Sequence, residues 1–185
     1  MSYKKLAGIM IFAFIAVILC GCKGNTYSKL IKNEKKKIEN YMSREGIRVL
    51  GNAPDVKHGE KWGEKDYIAL EGYDNLYFHL SSAIDTNAVR LIAGDKVNVR
   101  YRKYGMDAYT DTISYWTTDD GGEPISLIVG DVPGVNSCQA WRLAILRMGR
   151  SGYECRIICP STAGFTEDNS SVTPYVYDLK ITKRQ

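Results

Sequence analysis

Three observations predict an α+β fold for this chain. Short β-rich segments recur from residue 67 onward, one internal stretch at residues 137–148 has helical periodicity, and an amphipathic segment at residues 26–45 precedes them. Strands that follow one another through turns, with a single helix among them, imply an antiparallel, twisted sheet. The helix should lie across one face of that sheet and cover its core.

Lys4 and Lys5 precede an unbroken apolar run over residues 6–19, followed by Cys20-Gly21-Cys22. This order of charge, apolar run and small residue is that of a signal peptide. The run is shorter than the ~20 residues a membrane span needs. Leu19-Cys20-Gly21-Cys22 resembles a lipobox, in which the small Gly21 permits cleavage before Cys22 and leaves its thiol for a lipid; an ordinary secretory signal is the alternative. The expected organisation is a lipoprotein signal peptide at 1–21, a lipid-anchored tether and amphipathic helix at 22–46, and a folded domain at 47–185. Two or three acyl chains on Cys22 would make a stable anchor. That places the protein in the cell envelope, on a membrane outside the cytoplasm, with the outer membrane of a Gram-negative cell as the expected site.

The formal net charge is +4, and Lys4 and Lys5 belong to the segment removed, so the mature chain is nearly neutral. A nucleic-acid partner, which calls for a strong basic face, is not expected. Cys138, Cys155 and Cys159 remain beyond Cys22. Their odd number excludes complete pairing within one chain. In a strand, Cys155 and Cys159 would stand roughly 13 Å apart, past the ~7 Å reach of a disulfide. Buried apolar packing is the expected role of all three. A metal site is the alternative, but His58 and His79 lie far upstream, so no metal and no cofactor are expected.

Residues 23–26 read as a short polar tether. Tyr27, Leu30, Ile31, Ile38, Tyr41 and Met42 then recur at helical spacing up to Gly46, a suitable stop. Lys29, Lys32, Lys36 and Lys37 read as a solvated face, with attraction to acidic headgroups as a minor alternative. Residues 51–66 mix Gly, Pro and charge without periodicity and read as a surface loop. Residues 67–70 and 76–80 flank the turn-rich Gly72-Tyr73-Asp74-Asn75 and predict a hairpin. Further strands are expected at 96–104, 110–116, 125–129, 153–159 and 172–181. Trp141, Ala144, Ile145 and Met148 share one face of the internal helix, and Ser137 or Asn136 can cap its start. Asp119-Asp120-Gly121-Gly122 reads as a hairpin turn rather than a cation site.

From residue 75 to 183 the order of motifs resembles the FKBP-type peptidyl-prolyl isomerases. Asn75-Leu76-Tyr77-Phe78 is similar to that family's opening strand, and Gly94-Asp95-Lys96-Val97-Asn98-Val99-Arg100-Tyr101 to its Gly-Asp-x-Val-x-Val-x-Tyr segment. Pro124-Ile125-Ser126-Leu127-Ile128-Val129-Gly130, the Trp141-to-Met148 helix with the strand ending at Pro160, and Tyr175-Val176-Tyr177-Asp178-Leu179 complete the resemblance. It implies an FKBP-like sheet wrapped around one helix, and a proline-containing peptide or exported client as partner.

Rotation about an X-Pro bond takes tens to hundreds of seconds unaided and needs no acid, base or nucleophile. A dry apolar pocket that favours the twisted amide suffices. By the resemblance, Trp141 would form the pocket floor and Tyr101 and Tyr177 its walls, these three being the catalytic candidates. Tyr115 or Trp116, Ile125, Ser137, Cys138 and Phe165 would line the substrate site. No Asp follows Tyr115-Trp116, and Ala163-Gly164-Phe165 stands where the family has a donor Tyr. Two functions are therefore expected as alternatives, an envelope-anchored isomerase or folding factor, and a peptide-binding lipoprotein without catalysis.

Overall fold

The computed structural model describes residues 22–55, 60–107, 112–113 and 123–184. The expected signal peptide, Tyr115, Trp116 and the Asp119–Gly122 turn lie outside the described residues.

Helix α1 spans Cys22–Glu45 of the described residues, so residues 23–26 are helical rather than a tether. It ends before Gly46, whose positive φ of 66° a side chain would oppose. The chain divides into two compact units, Met1–Asn33 and Glu34–Gln185, and the division falls within this helix. In the first, Tyr27 and Leu30 are exposed.

The second unit holds an eight-stranded sheet among the described residues. Its strands are β1 (Arg48–Leu50), β2 (Asp66–Ala69), β3 (Tyr77–Leu80), β4 (Lys96–Tyr104), β5 (Thr112–Ile113), β6 (Ile125–Ile128), β7 (Glu154–Cys159) and β8 (Tyr175–Lys183). The order is β1-β2-β3-β7-β8-β4-β5, with β6 pairing the first half of β4 while β5 pairs its end. The expected β2–β3 hairpin forms, with Ile68 opposite Phe78 and Leu70 N donating to Leu76 O. β1 departs from the antiparallel expectation. It runs parallel to β2, so the segment expected as a surface loop is the crossover between them.

Alternation decides what each face buries. Val97 and Val99 on β4, Cys155, Ile157 and Cys159 on β7, and Tyr177, Leu179 and Ile181 on β8 form one core with helix α2 (Gln139–Met148). Ala140, Trp141, Ala144, Ile145 and Met148 are the buried face of α2. Cys138 is its N-cap and makes no side-chain cap bond, in place of the expected Ser137 or Asn136; Ser137 Oγ instead accepts from Gly134 N. Ile158 and Val176, on the opposite face, pack with Tyr67, Met106 and the wholly buried Ile38 of α1. Glu34 fixes this contact, accepting a hydrogen bond from Ser161 N at 2.5 Å between two buried residues. Residues 34–45 of α1 thus dock on the sheet. The same face carries a two-pronged ion pair between Arg156 and Asp178, at 2.6 and 2.9 Å, which Tyr104 OH joins at 2.8 Å.

At the β2–β3 end, His79 Nδ1 lies 2.8 Å from Asp66 O, an acceptor, so this nitrogen carries the proton and donates. Burial outweighs that bond and lowers the imidazole pKa below its ordinary 6.5. A depressed pKa means that the unfolded chain takes up the proton first, so this contribution is complete above pH 6.5 and is lost on acidification. The thermal unfolding midpoint should fall between pH 7 and pH 5, and His79→Gln should show a smaller fall. Equal falls in the two proteins would contradict this account of His79.

Candidate functional site

The catalytic candidates come together. Tyr101 extends the Val97, Val99 face of β4, Trp141 lies in the first turn of α2, and Tyr177 stands on the neighbouring strand β8. The ring centroids of Tyr101 and Trp141 are 4.6 Å apart, those of Trp141 and Tyr177 5.8 Å, and those of Tyr101 and Tyr177 6.5 Å. Phe165 joins them, edge-on to Trp141 at 5.2 Å and 88°. Such pairs contribute about 0.5–1.5 kcal/mol each beyond the area they bury.

Above this cluster opens a concavity of about 530 Å³, walled by Tyr101, Lys103, Ile125, Val135, Asn136 and Phe165, with Thr166 and Glu167 at its edge. Trp141 and Tyr177 underlie the rings that line it and have 0 % exposure. Ser137 and Cys138 do not line it. Ser137 belongs to a separate concavity with Lys96 and Arg142, and Cys138 is buried at the start of α2. The residues of that loop that border it are Val135 and Asn136, two positions earlier, and Val135 is almost wholly exposed at 96 %.

Beneath the concavity lies a polar cluster that the motifs did not single out. Asp168, in the six-residue helix α3 (Thr166–Ser171), is buried. Its Oδ2 accepts from Tyr177 OH at 2.8 Å and its Oδ1 from Lys103 Nζ at 2.6 Å. The Lys103 ammonium also sits 3.8 Å from the Tyr175 ring centroid, a cation–π contact. Burial, then Cys159 and Asp168, push the Tyr177 hydroxyl well above its ordinary pKa, so it stays protonated and donating. Trp141 Nε1 is buried with no hydrogen-bond partner among the described residues. The three cysteines are free and buried, and burial raises the Cys155 and Cys159 thiols well above their ordinary range. They act as core residues, as expected.

Tyr101 was expected from the resemblance alone; the alternation of β4 places Lys103 on the same face, a signal the sequence carried. Asp168 and Val135 had none of that kind, since both lie in segments without periodicity. The site offers ring surface, an apolar wall and one paired cation. It has no set of three or more metal-ligating side chains among the described residues.

No family model matches the chain, and no curated protein matches it. Among solved structures it is similar to a DUF4827 family protein from Parabacteroides distasonis, with 21% identity, a TM-score of 0.67, and 85% of this chain and 96% of that one covered. Also similar are a peptidyl-prolyl cis-trans isomerase from Pseudomonas syringae pv. tomato, with 14% identity, a TM-score of 0.46, and 85% and 96% covered, and FkpA from Escherichia coli, with 14% identity, a TM-score of 0.48, and 98% and 72% covered. The likeness to the DUF4827 protein is one of fold, a mixed α+β domain built on a single sheet.

Proposed function

We propose that this chain is an FKBP-like folding factor, anchored through lipid on Cys22 outside the cytoplasm. Its concavity holds proline-containing segments of exported proteins and speeds rotation about their X-Pro bonds. The observation that carries this reading is the convergence of Tyr101, Trp141, Phe165 and Tyr177 beneath an open concavity that Ile125 and Val135 extend. A proline ring set against Tyr101 and Phe165 leaves water, and the amide beside it loses the solvation that favours its planar form. A second reading, peptide binding without catalysis, has its own support. Trp141 and Tyr177 are covered, and the Tyr177 hydroxyl is directed to Asp168.

Refolding of a model protein limited by X-Pro isomerisation tests the first reading. The full chain should accelerate it at least several-fold, and Val135→Asp, a change at an exposed position, should reduce the acceleration. Peptide binding without acceleration selects the second reading, and absence of both removes both. The anchor is tested by fractionation, where Cys22→Ala should leave the membrane fraction.

A further inference from the structure

A second cleft, of about 600 Å³, lies at the end of β3, and Trp62, Ile84 and His79 are among its lining residues. It shares no residue with the concavity around Tyr101, and the proposed folding activity makes no use of it. His79 is 9 % exposed. Because its Nδ1 proton is committed to Asp66 O, the neutral ring keeps a lone pair on Nε2. That nitrogen has no hydrogen-bond partner among the described residues and, unlike Trp141 Nε1, is not sealed from solvent. An acceptor that opens into a cleft, on a ring otherwise nine-tenths covered, is free to take a donor the cleft admits in place of water.

Trp62 fixes the wall beside it, edge-on to His79 at 5.8 Å and 85° and to Phe78 at 5.9 Å and 75°. The rim carries Glu60, Lys61 and Glu64, so acceptors and negative charge outnumber donors and positive charge. Glu60 already accepts from Asp55 N at 2.6 Å. Glu64, exposed on the rim, has no ion pair or hydrogen bond among the described residues. An apolar, aromatic wall, a lone-pair acceptor and an unengaged carboxylate together match one ligand chemistry, because a carboxylate ligand would set a lone pair against that of the neutral imidazole and a like charge against Glu64. We propose that this cleft is a second ligand site for a small organic ammonium with an apolar body. The ammonium donates to His79 Nε2 and is balanced by Glu64, and the body lies against Trp62 and Ile84.

The test is a titration of the full chain with phenethylammonium, read by the imidazole ¹⁵N resonances and by calorimetry. The chain has two histidines, and His79→Gln assigns the signals. Binding should saturate and move the His79 Nε2 resonance, while phenylacetate should not bind. His79→Gln should weaken binding about tenfold, the loss of a hydrogen bond to a charged group. Glu64→Gln, an exposed change that leaves the core untouched, should weaken it about two- to fivefold. The proposal is overturned if phenethylammonium does not saturate, if phenylacetate binds as tightly, or if Glu64→Gln and His79→Gln both leave the affinity unchanged.

Discussion

Trp141→Ala is expected to cost about 3–5 kcal/mol of stability, the range for truncating a large buried aromatic. The indole has no exposed surface and touches Tyr101, Phe165 and Tyr177, so its removal leaves a cavity under the concavity as well as in the core. Chemical denaturation of the variant measures the cost, and a loss below ~1 kcal/mol would show that the site collapses around the gap. Trp141→Phe separates packing from the indole nitrogen. Because Nε1 has no partner among the described residues, this change should lose ring volume but no hydrogen bond. It should therefore cost much less than alanine. Peptide affinity should drop in the alanine variant even below its unfolding transition, because Tyr101 and Phe165 lose the surface on which they rest.

Asp168→Ala should be nearly as severe, at about 3–5 kcal/mol, for a different reason. It leaves the Lys103 ammonium without its carboxylate in a largely buried setting and deprives the Tyr177 hydroxyl of its acceptor. Replacing the group as a unit should be milder. Lys103→Met, Asp168→Leu and Tyr177→Phe together remove every charge and donor at once, and apolar substitutes for a buried pair are often neutral. The check is a set of unfolding free energies for the single and combined variants. Strong non-additivity is expected, and simple addition of the single costs would contradict a linked cluster. Because α3 is only six residues long and follows Phe165 directly, loss of Asp168 should also free Phe165 from the concavity wall.

These two residues mark the boundary of what could be read in advance. Trp141 was legible because helical spacing put it on one face with Ala144, Ile145 and Met148, and that face is buried. Tyr101 and Tyr177 were named through the resemblance, and strand alternation on β4 and β8 is the physical reason that both face α2. Asp168 was hidden because Thr-Glu-Asp-Asn-Ser-Ser carries no apolar period, and a helix of that length exists through its tertiary contacts rather than its own propensity. β1 escaped notice for a similar reason, being three residues long with two of them exposed. Val135 sits in a loop containing Pro133 and Gly134, where chain length varies easily, and the expected wall at Ser137 and Cys138 is displaced by two positions. The residues 34–45 of α1 were read as a helix, but its docking was not predictable, because it depends on Glu34 meeting Ser161 N, 127 residues away.

In the proposed function the concavity between Tyr101, Ile125, Val135 and Phe165 receives proline-containing peptide. Titration of the full chain with a short apolar Xaa-Pro peptide, followed by backbone amide shifts, tests it most directly. Saturable shifts should cluster at Tyr101, Lys103, Ile125, Val135 and Phe165 and be lost in Val135→Asp. Saturable shifts confined to the His79 cleft, or no saturable shift at any residue, would contradict it.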